Sequence, residues 1–275
     1  MRRGNPTVRW PRDIATFVVI GVLLVGVSLL PPDTALRQVM TSGTLRVCVP
    51  TTYPPLVTAD PHAPGIDLEI LEFVASELGV RLQVVRNPAI GRSFNPRDWR
   101  VTRAQCLVLA GGIIDSTATR GFLSVTTPHI ATGWAATTRD DNLSTLLGAQ
   151  AAFFPGATGL DRIALGAWLR AQGAVVTIVS NEREARDGLV DASFDLIVSE
   201  ALLARSLAAD IDGRAYWLPV GDGRTPVAFG LWKGDLTLER AIERALRRAR
   251  TSGTLHSILV RYDLAPIADE CRFCL

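Results

Sequence analysis

Lysine is almost missing from this chain: Lys233 is the only one in 275 residues, and the other basic residues are arginine. A Schiff-base lysine or a phosphate-binding P-loop would rest on that one position, and no G-x-x-x-x-G-K-[ST] surrounds it. Histidine is nearly as scarce. His62, His129 and His256 lie far apart with no ligand spacing, so no metal site is expected and they read as surface or capping residues. Net charge is also small, +2 from 29 basic and 27 acidic residues. The chain has no basic field of the kind that holds nucleic acid, and none is expected as a partner. No motif asks for a cofactor. What is there is an apolar share of 48% against 20% charged, too apolar for disorder. The length suits about two domains.

The N-terminus reads as an address. Arg2, Arg3, Arg9 and Arg12 precede an uncharged run from Ile14 to Leu30, closed by Pro31 and Pro32. That run sits at the lower limit of about 17 residues for a spanning helix and exceeds most signal h-regions. The flanking charges exclude a buried core helix, and the positive-inside rule places the arginines in the cytoplasm. No A-x-A cleavage site follows, and the first cysteine, Cys48, is too distant for a lipoprotein box. The expectation is a cytoplasmic basic segment over 1–12 and an uncleaved signal anchor, a transmembrane helix, over 13–32. The rest then lies on the periplasmic or extracellular face of the cytoplasmic membrane.

Four cysteines agree with an exported chain. They allow three pairings, and spacing does not choose among them. Cys271 and Cys274 form a C-x-x-C in the terminal tail, where neither a zinc site nor a redox motif is expected. The plain reading joins them and leaves Cys48 for Cys106. If Leu45–Val49 and Gln105–Ala110 are neighbouring parallel strands about 4.8 Å apart, that pair falls within the Cα–Cα range of about 4.4–6.8 Å that a disulfide accepts.

Strand and helix signals alternate along the rest. Apolar strands are expected at Leu45–Val49, Val80–Val85 and Gln105–Ala110, the last running into Gly111-Gly112. Between the first two, Leu68, Leu71, Val74, Ala75 and Leu78 recur at helical spacing, with Gly79 where a C-terminal cap belongs. After an extended stretch through Trp134–Thr138 the pattern restarts. It gives a strand at Ala149–Phe154 and a helix over Thr158–Arg170 with Thr158 as N-cap. A strand at Val175–Val179 and a helix from Glu182 to Val190 follow. Next come Asp195–Val198, a helix from Glu200, and strands at Tyr216–Val220 and Ala228–Trp232. Leu238–Ala249 closes the set as an amphipathic helix. Repeated strand–helix–strand units predict an α/β fold in two lobes.

Several segments together resemble a family. Gly43–Val47, Tyr53-Pro54-Pro55 and Gly65–Ile70 come first, then Ala110-Gly111-Gly112 leading to Thr117-Ala118-Thr119-Arg120. Thr126-Thr127-Pro128, Gly156-Ala157-Thr158, Asp195–Val198 before Glu200, and Ser252–Leu255 with Tyr262 behind it complete the series. In order and spacing this resembles the family 3 extracellular solute-binding proteins, the periplasmic amino-acid receptors of ABC importers. The resemblance implies the two-lobed type II periplasmic-binding-protein fold with a hinge cleft. Lobe 1 would be 43–137 and 229–265, lobe 2 would be 138–228, and 266–275 would be a cysteine-containing tail. Ligand would lie outside the carboxyl ends of the parallel strands, near helix N-termini.

The same resemblance assigns roles. Arg120, in T-x-x-R, would fork onto a ligand α-carboxylate, for which guanidinium geometry is suited. Thr158 and the backbone of Ala157 would add donors to it. Glu200 would hold the ligand's ammonium group, and Tyr53 would lend a ring face, with Phe94 or Trp99 a candidate for the opposing aromatic. Ile113 and Asp115 complete the expected ligand-binding set. Asp115 departs from the Ser or Thr usual there; a carboxylate at that place would repel an acidic ligand or recruit a basic one. The implied function is binding of an amino acid or related zwitterion for an ABC permease or a sensor, without catalysis. Two alternatives stand beside it. The Leu-Arg-Val-Cys strand and paired cysteines resemble a subset encoded with quinoprotein alcohol dehydrogenases, accessory proteins whose partner is a periplasmic dehydrogenase, although that subset lacks T-x-x-R. Some members of the fold are cyclohexadienyl dehydratases, and Glu200 is the carboxyl that could serve there as general acid.

Overall fold

A computed structural model of the chain describes residues 15–22, 33–90, 96–154, 160–220 and 223–262. The chain divides into two units, Met1–Thr34 and the remainder from Ala35. In the first, residues 15–22 are helical with exposed side chains. No helix among the described residues is long and apolar enough to cross a membrane. The basic segment 1–12 and most of the anchor expected over 13–32 lie outside the described residues, as does the tail with Cys271 and Cys274.

The second unit carries two mixed sheets covered by helices. The first sheet runs β2 (Arg81–Arg86), β1 (Thr44–Val49), β3 (Val108–Ile114), β11 (Thr225–Trp232), β4 (Leu123–Val125), with β5 (Ile130–Thr132) also on β11. β1 pairs in parallel with β2 and β3, whereas β11 is antiparallel to its neighbours. The second sheet runs β10 (Arg214–Trp217), β6 (Trp134–Thr138), β9 (Leu196–Glu200), β7 (Gln150–Phe153), β8 (Val175–Ile178). Its parallel pairs are β7 with β8 and β7 with β9. Both sheets join strands through crossover helices, as repeated strand–helix units require.

Helices α1 (Ala35–Ser42) and α2 (Ile66–Glu77) belong with the first sheet, as do α3 (Thr117–Phe122), α7 (Leu236–Thr251) and α8 (Thr254–Arg261). The second sheet is covered by α4 (Arg162–Ala171), α5 (Glu182–Val190) and α6 (Ala201–Asp210). α2 buries Ile66, Leu68, Ile70, Leu71 and Val74, and each such side chain contributes about 1.5–3 kcal/mol. Gly79, at φ +68°, ends the helix and donates its N–H to Ser76 O at 2.9 Å, as the sequence predicts.

The chain crosses between sheets at Gly133, where β5 passes directly into β6, and again between β10 and β11. The two crossings touch. A Cβ on Gly133 would stand 2.6 Å from the carbonyl oxygen of Gly223, so this contact admits only glycine.

Three expectations change. The strand expected at Gln105–Ala110 begins at Val108 and continues to Ile114. Its start is delayed because residues 102–106 turn under the Cys48–Cys106 disulfide, and the Trp232 Nε1–H donates to Cys106 O at 2.8 Å. It continues because Gly111 and Gly112 adopt φ of +87° and +85°, values closed to most other residues. The helix expected from Thr158 starts at Arg162. Its N-cap is Asp161, whose Oδ1 accepts from the N–H groups of Ile163 and Ala164, both at 2.9 Å; a carboxylate there also suits the helix dipole. The strand expected at Tyr216–Val220 lies earlier, at Arg214–Trp217. The disulfide between Cys48 and Cys106 is formed, with Cα atoms 5.6 Å apart.

Candidate functional site

β3 ends at a cavity. About 440 Å³ lies between Ile114–Thr117, the start of α4 at Leu160 and Asp161, the indole of Trp134, and Gly223–Pro226 on the returning strand. That size suits a small ligand, and it sits where open α/β sheets hold ligands, outside the carboxyl end of a parallel strand. Ser116 caps α3 by accepting from Thr119 N–H at 3.2 Å, which sets the T-x-x-R turn at the rim.

Arg120 and Asp115 meet there. Arg120 donates from Nε to Asp115 Oδ1 at 2.5 Å and from Nη2 to Oδ2 at 2.7 Å, a fork-on-carboxylate geometry. The arginine side chain is 58% exposed and the aspartate 13%. Through that hydrogen bond and its charge, Asp115 holds the guanidinium still further above its ordinary pKa. Asp115 lines the cavity and Arg120 does not.

Glu200 sits at the end of β9, opposite Trp134 in the β6–β9 register, and is fully buried. It is the N-cap of α6, Oε2 accepting from Leu203 N–H at 3.2 Å. Oε1 makes no well-formed hydrogen bond to the described residues. Burial pushes the carboxyl up to about 7. The N–H groups of Leu202 and Leu203, the nearby hydroxyl of Tyr53 and the charge of Arg205 oppose that rise. Tyr53 thus reaches from the first lobe to a carboxylate of the second. Its hydroxyl acts on the Glu200 carboxylate and favours the charged form. The ring is buried against β3, where a Cβ on Gly112 would stand 2.6 Å from Tyr53 Cε1. Arg162 and Arg205, both half-buried, flank this contact, and burial lowers the pKa of each.

The expected residues therefore divide. Asp115 and Arg120 come together at the cavity, and Tyr53 and Glu200 come together between the lobes. Ile113 points its side chain into the core around the disulfide. Trp99 is buried in that same core. Ala157, Thr158 and Phe94 lie outside the described residues. Among the described residues no group of three or more His, Cys, Asp or Glu side chains could hold a metal.

Sequence reasoning missed Asp161, Arg162 and Arg205, and it misplaced one histidine. His62 and His256 are exposed as expected, but His129 is fully buried. Its Nε2 pairs with Asp67 Oδ1 at 2.7 Å, and its ring stacks on Phe229 at 4.4 Å between centroids. Asp67 Oδ2 also accepts from the N–H groups of Gly111 at 2.7 Å and Gly112 at 3.3 Å. One signal for this was available: Asp67 stands between Ile66 and Leu68, among the residues that α2 buries.

Comparison with known proteins fits this geometry. The family profile of the bacterial extracellular solute-binding proteins, family 3, matches residues 45–264. A search of curated proteins finds no match. Among solved structures, an ancestral cationic amino acid solute-binding protein matches at TM-score 0.67 and 20% identity, over 83% of this chain and 99% of its own. A second structure of that ancestor, described as an amino-acid-binding precursor of cyclohexadienyl dehydratase, gives 0.60 and 19%, over 83% and 98%. An amino acid ABC transporter substrate-binding protein from Streptococcus pneumoniae, bound to L-arginine, gives 0.63 and 19%, over 85% and 99%. At such identities the likeness establishes the fold, the two-lobed type II periplasmic-binding-protein architecture.

Proposed function

The chain belongs to the bacterial extracellular solute-binding proteins of family 3, and from that premise we propose that its lobes close on a small polar solute of the amino-acid kind: amino acids, related zwitterions and their amine relatives. The observation that carries this reading is the cavity of about 440 Å³ at the end of β3, with a charged pair at its rim. A second charged group, Glu200, lies at the seam between the lobes. The structural neighbours described as binding cationic amino acids or L-arginine support a ligand with a positive end. In this reading Tyr53, Asp115 and Glu200 face the ligand, with Arg120 holding Asp115 at the rim, together with Ala157 and Thr158, which precede α4 in the sequence. Ile113 contributes backbone alone. The protein acts outside the cytoplasmic membrane, held there by the segment over 13–32, and hands its solute to an ABC permease or a sensor.

A thermal-shift panel of amino acids and their decarboxylated amines on the full chain tests this. A ligand at 100 times its dissociation constant adds about 2.7 kcal/mol of stability. A panel without a single stabilising compound would count against the receptor and favour a protein partner such as a periplasmic dehydrogenase.

One observation favours a second reading. A carboxyl pushed up to about 7 holds a proton near neutrality, as a general acid must, which suits a cyclohexadienyl-dehydratase-like reaction at Glu200. The charged pair at the cavity, Asp115 and Arg120, is accounted for by a receptor alone, so the receptor reading stands first. Absence of turnover on cyclohexadienyl acids disposes of the enzyme.

A further inference from the structure

The rim pair has a consequence for ligand class. An arginine on a T-x-x-R turn is suited to receive a ligand carboxylate because its fork matches two oxygens. In this chain the fork already holds two oxygens, those of Asp115, through Nε and Nη2. The chain's own side chain has the chemistry of the group the site would otherwise take. The partners are five residues apart, across the Ser116-capped turn, so no movement of the lobes is needed to join them.

Electrostatics points the same way. Paired with Asp115, the guanidinium offers no net positive charge to an incoming carboxylate, and the nearer group is the negative one. A carboxylate accepts at about four positions, and Arg120 uses two of them. Asp115 lines the cavity and keeps acceptor capacity, whereas Arg120 lies outside the lining. Asp161, also on the cavity wall, is a second carboxylate. Among the described residues, the one cation in the lining, Arg224, lies over the ring of Trp217 at 5.2 Å.

Resting on the receptor reading above, we infer that Asp115 sets the ligand class: it fills the carboxylate subsite, and the solute taken is an amine or guanidine without an α-carboxylate. Asp115 receives one cationic end, and Arg120 positions Asp115 instead of binding the ligand.

The test uses matched pairs that differ only in the carboxylate, arginine against agmatine and lysine against cadaverine, measured by calorimetry on the full chain. The parent binds the decarboxylated member at least about tenfold more tightly. Asp115→Thr frees Arg120 and reverses the preference. Asp115→Asn keeps the shape, loses the charge and weakens agmatine binding about tenfold or more. Arg120→Ala changes agmatine and arginine binding by the same factor and leaves their ratio as in the parent, whereas loss of a carboxylate-binding arginine would weaken arginine alone. Two results overturn the inference while the receptor survives: tighter binding of the amino acid by the parent, or an unchanged ratio in Asp115→Thr. If no member of either pair binds to the parent or to Asp115→Thr, the receptor reading fails for these solutes and the inference fails with it.

Discussion

Two carboxylates in this molecule are equally buried and differently satisfied. Asp67, in the first turn of α2, has both oxygens occupied, by the N–H groups of Gly111 and Gly112 and by His129. Glu200, capping α6, has one oxygen bonded to a helix N–H, while the other faces the seam between the lobes with no well-formed bond. The first ties α2, the glycine corner of β3 and the approach to β5 into one unit. The second carries an unresolved desolvation penalty beside Tyr53, a residue of the opposite lobe. Burial alone does not distinguish an acid whose oxygens the fold has satisfied from one whose oxygens it has not. The number of donors supplied by the rest of the chain does.

The comparison can be broken most forcefully at Asp67. Asp67→Ala removes one member of a buried pair and leaves His129 and two glycine N–H groups uncompensated. The expected cost is about 3–5 kcal/mol, read as a lower midpoint in denaturant unfolding. A loss below about 1 kcal/mol would make Asp67 dispensable. The same unit is closed by the disulfide across a sequence separation of 58. Replacing both Cys48 and Cys106 by Ala should lower stability by about 4 kcal/mol on loop entropy, measured in the same way.

Glu200 predicts a dependence of stability on pH. Its carboxyl is raised from 4.5 to about 7, so between those values the folded chain binds more protons than the unfolded one. Stability from this group is therefore highest in acid and falls as pH rises, by about 3 kcal/mol once pH exceeds about 7. Glu200→Gln should remove that fall and leave the variant more stable than the parent at pH 8 but not at pH 4. Equal slopes in parent and variant would place the penalty elsewhere. The smallest effect belongs to the rim. The Arg120–Asp115 pair is mostly exposed on the arginine side, so Arg120→Ala should change the unfolding free energy by less than about 1 kcal/mol.

Much of the fold was legible because it is local. Helical spacing from Leu68 to Leu78, the glycine cap at Gly79 and the helix from Glu182 to Val190 are written in adjacent residues. The order of weak motifs carried the architecture, and strand adjacency carried the Cys48–Cys106 pairing. What failed to show was set by distant contacts or by competition. His129 is buried because Asp67, 62 residues earlier, meets it across the first sheet. The cap of α4 falls to Asp161, three residues beyond the Thr158 that the sequence suggests. Asp115 was legible as a departure, but that it would take Arg120 for itself depends on the turn between them. Glu200 was legible as a helix start, and nothing short of the packed seam shows its full burial.

The central proposal is that Glu200, not Asp67, is the acid left for the second positive end of a two-ended cation such as agmatine, whose first end Asp115 takes. Isothermal calorimetry with agmatine at pH 7, repeated in buffers of different ionisation enthalpy, counts the protons that binding moves. The charged and titratable groups acting on Glu200 are Tyr53 and Arg205, neither of which titrates near pH 7 in ordinary surroundings. A cation at Glu200 favours its charged form, so the parent should release about half a proton per ligand, and Glu200→Gln should release none. Binding by the parent with no proton released, or with the same count in Glu200→Gln, would contradict the account.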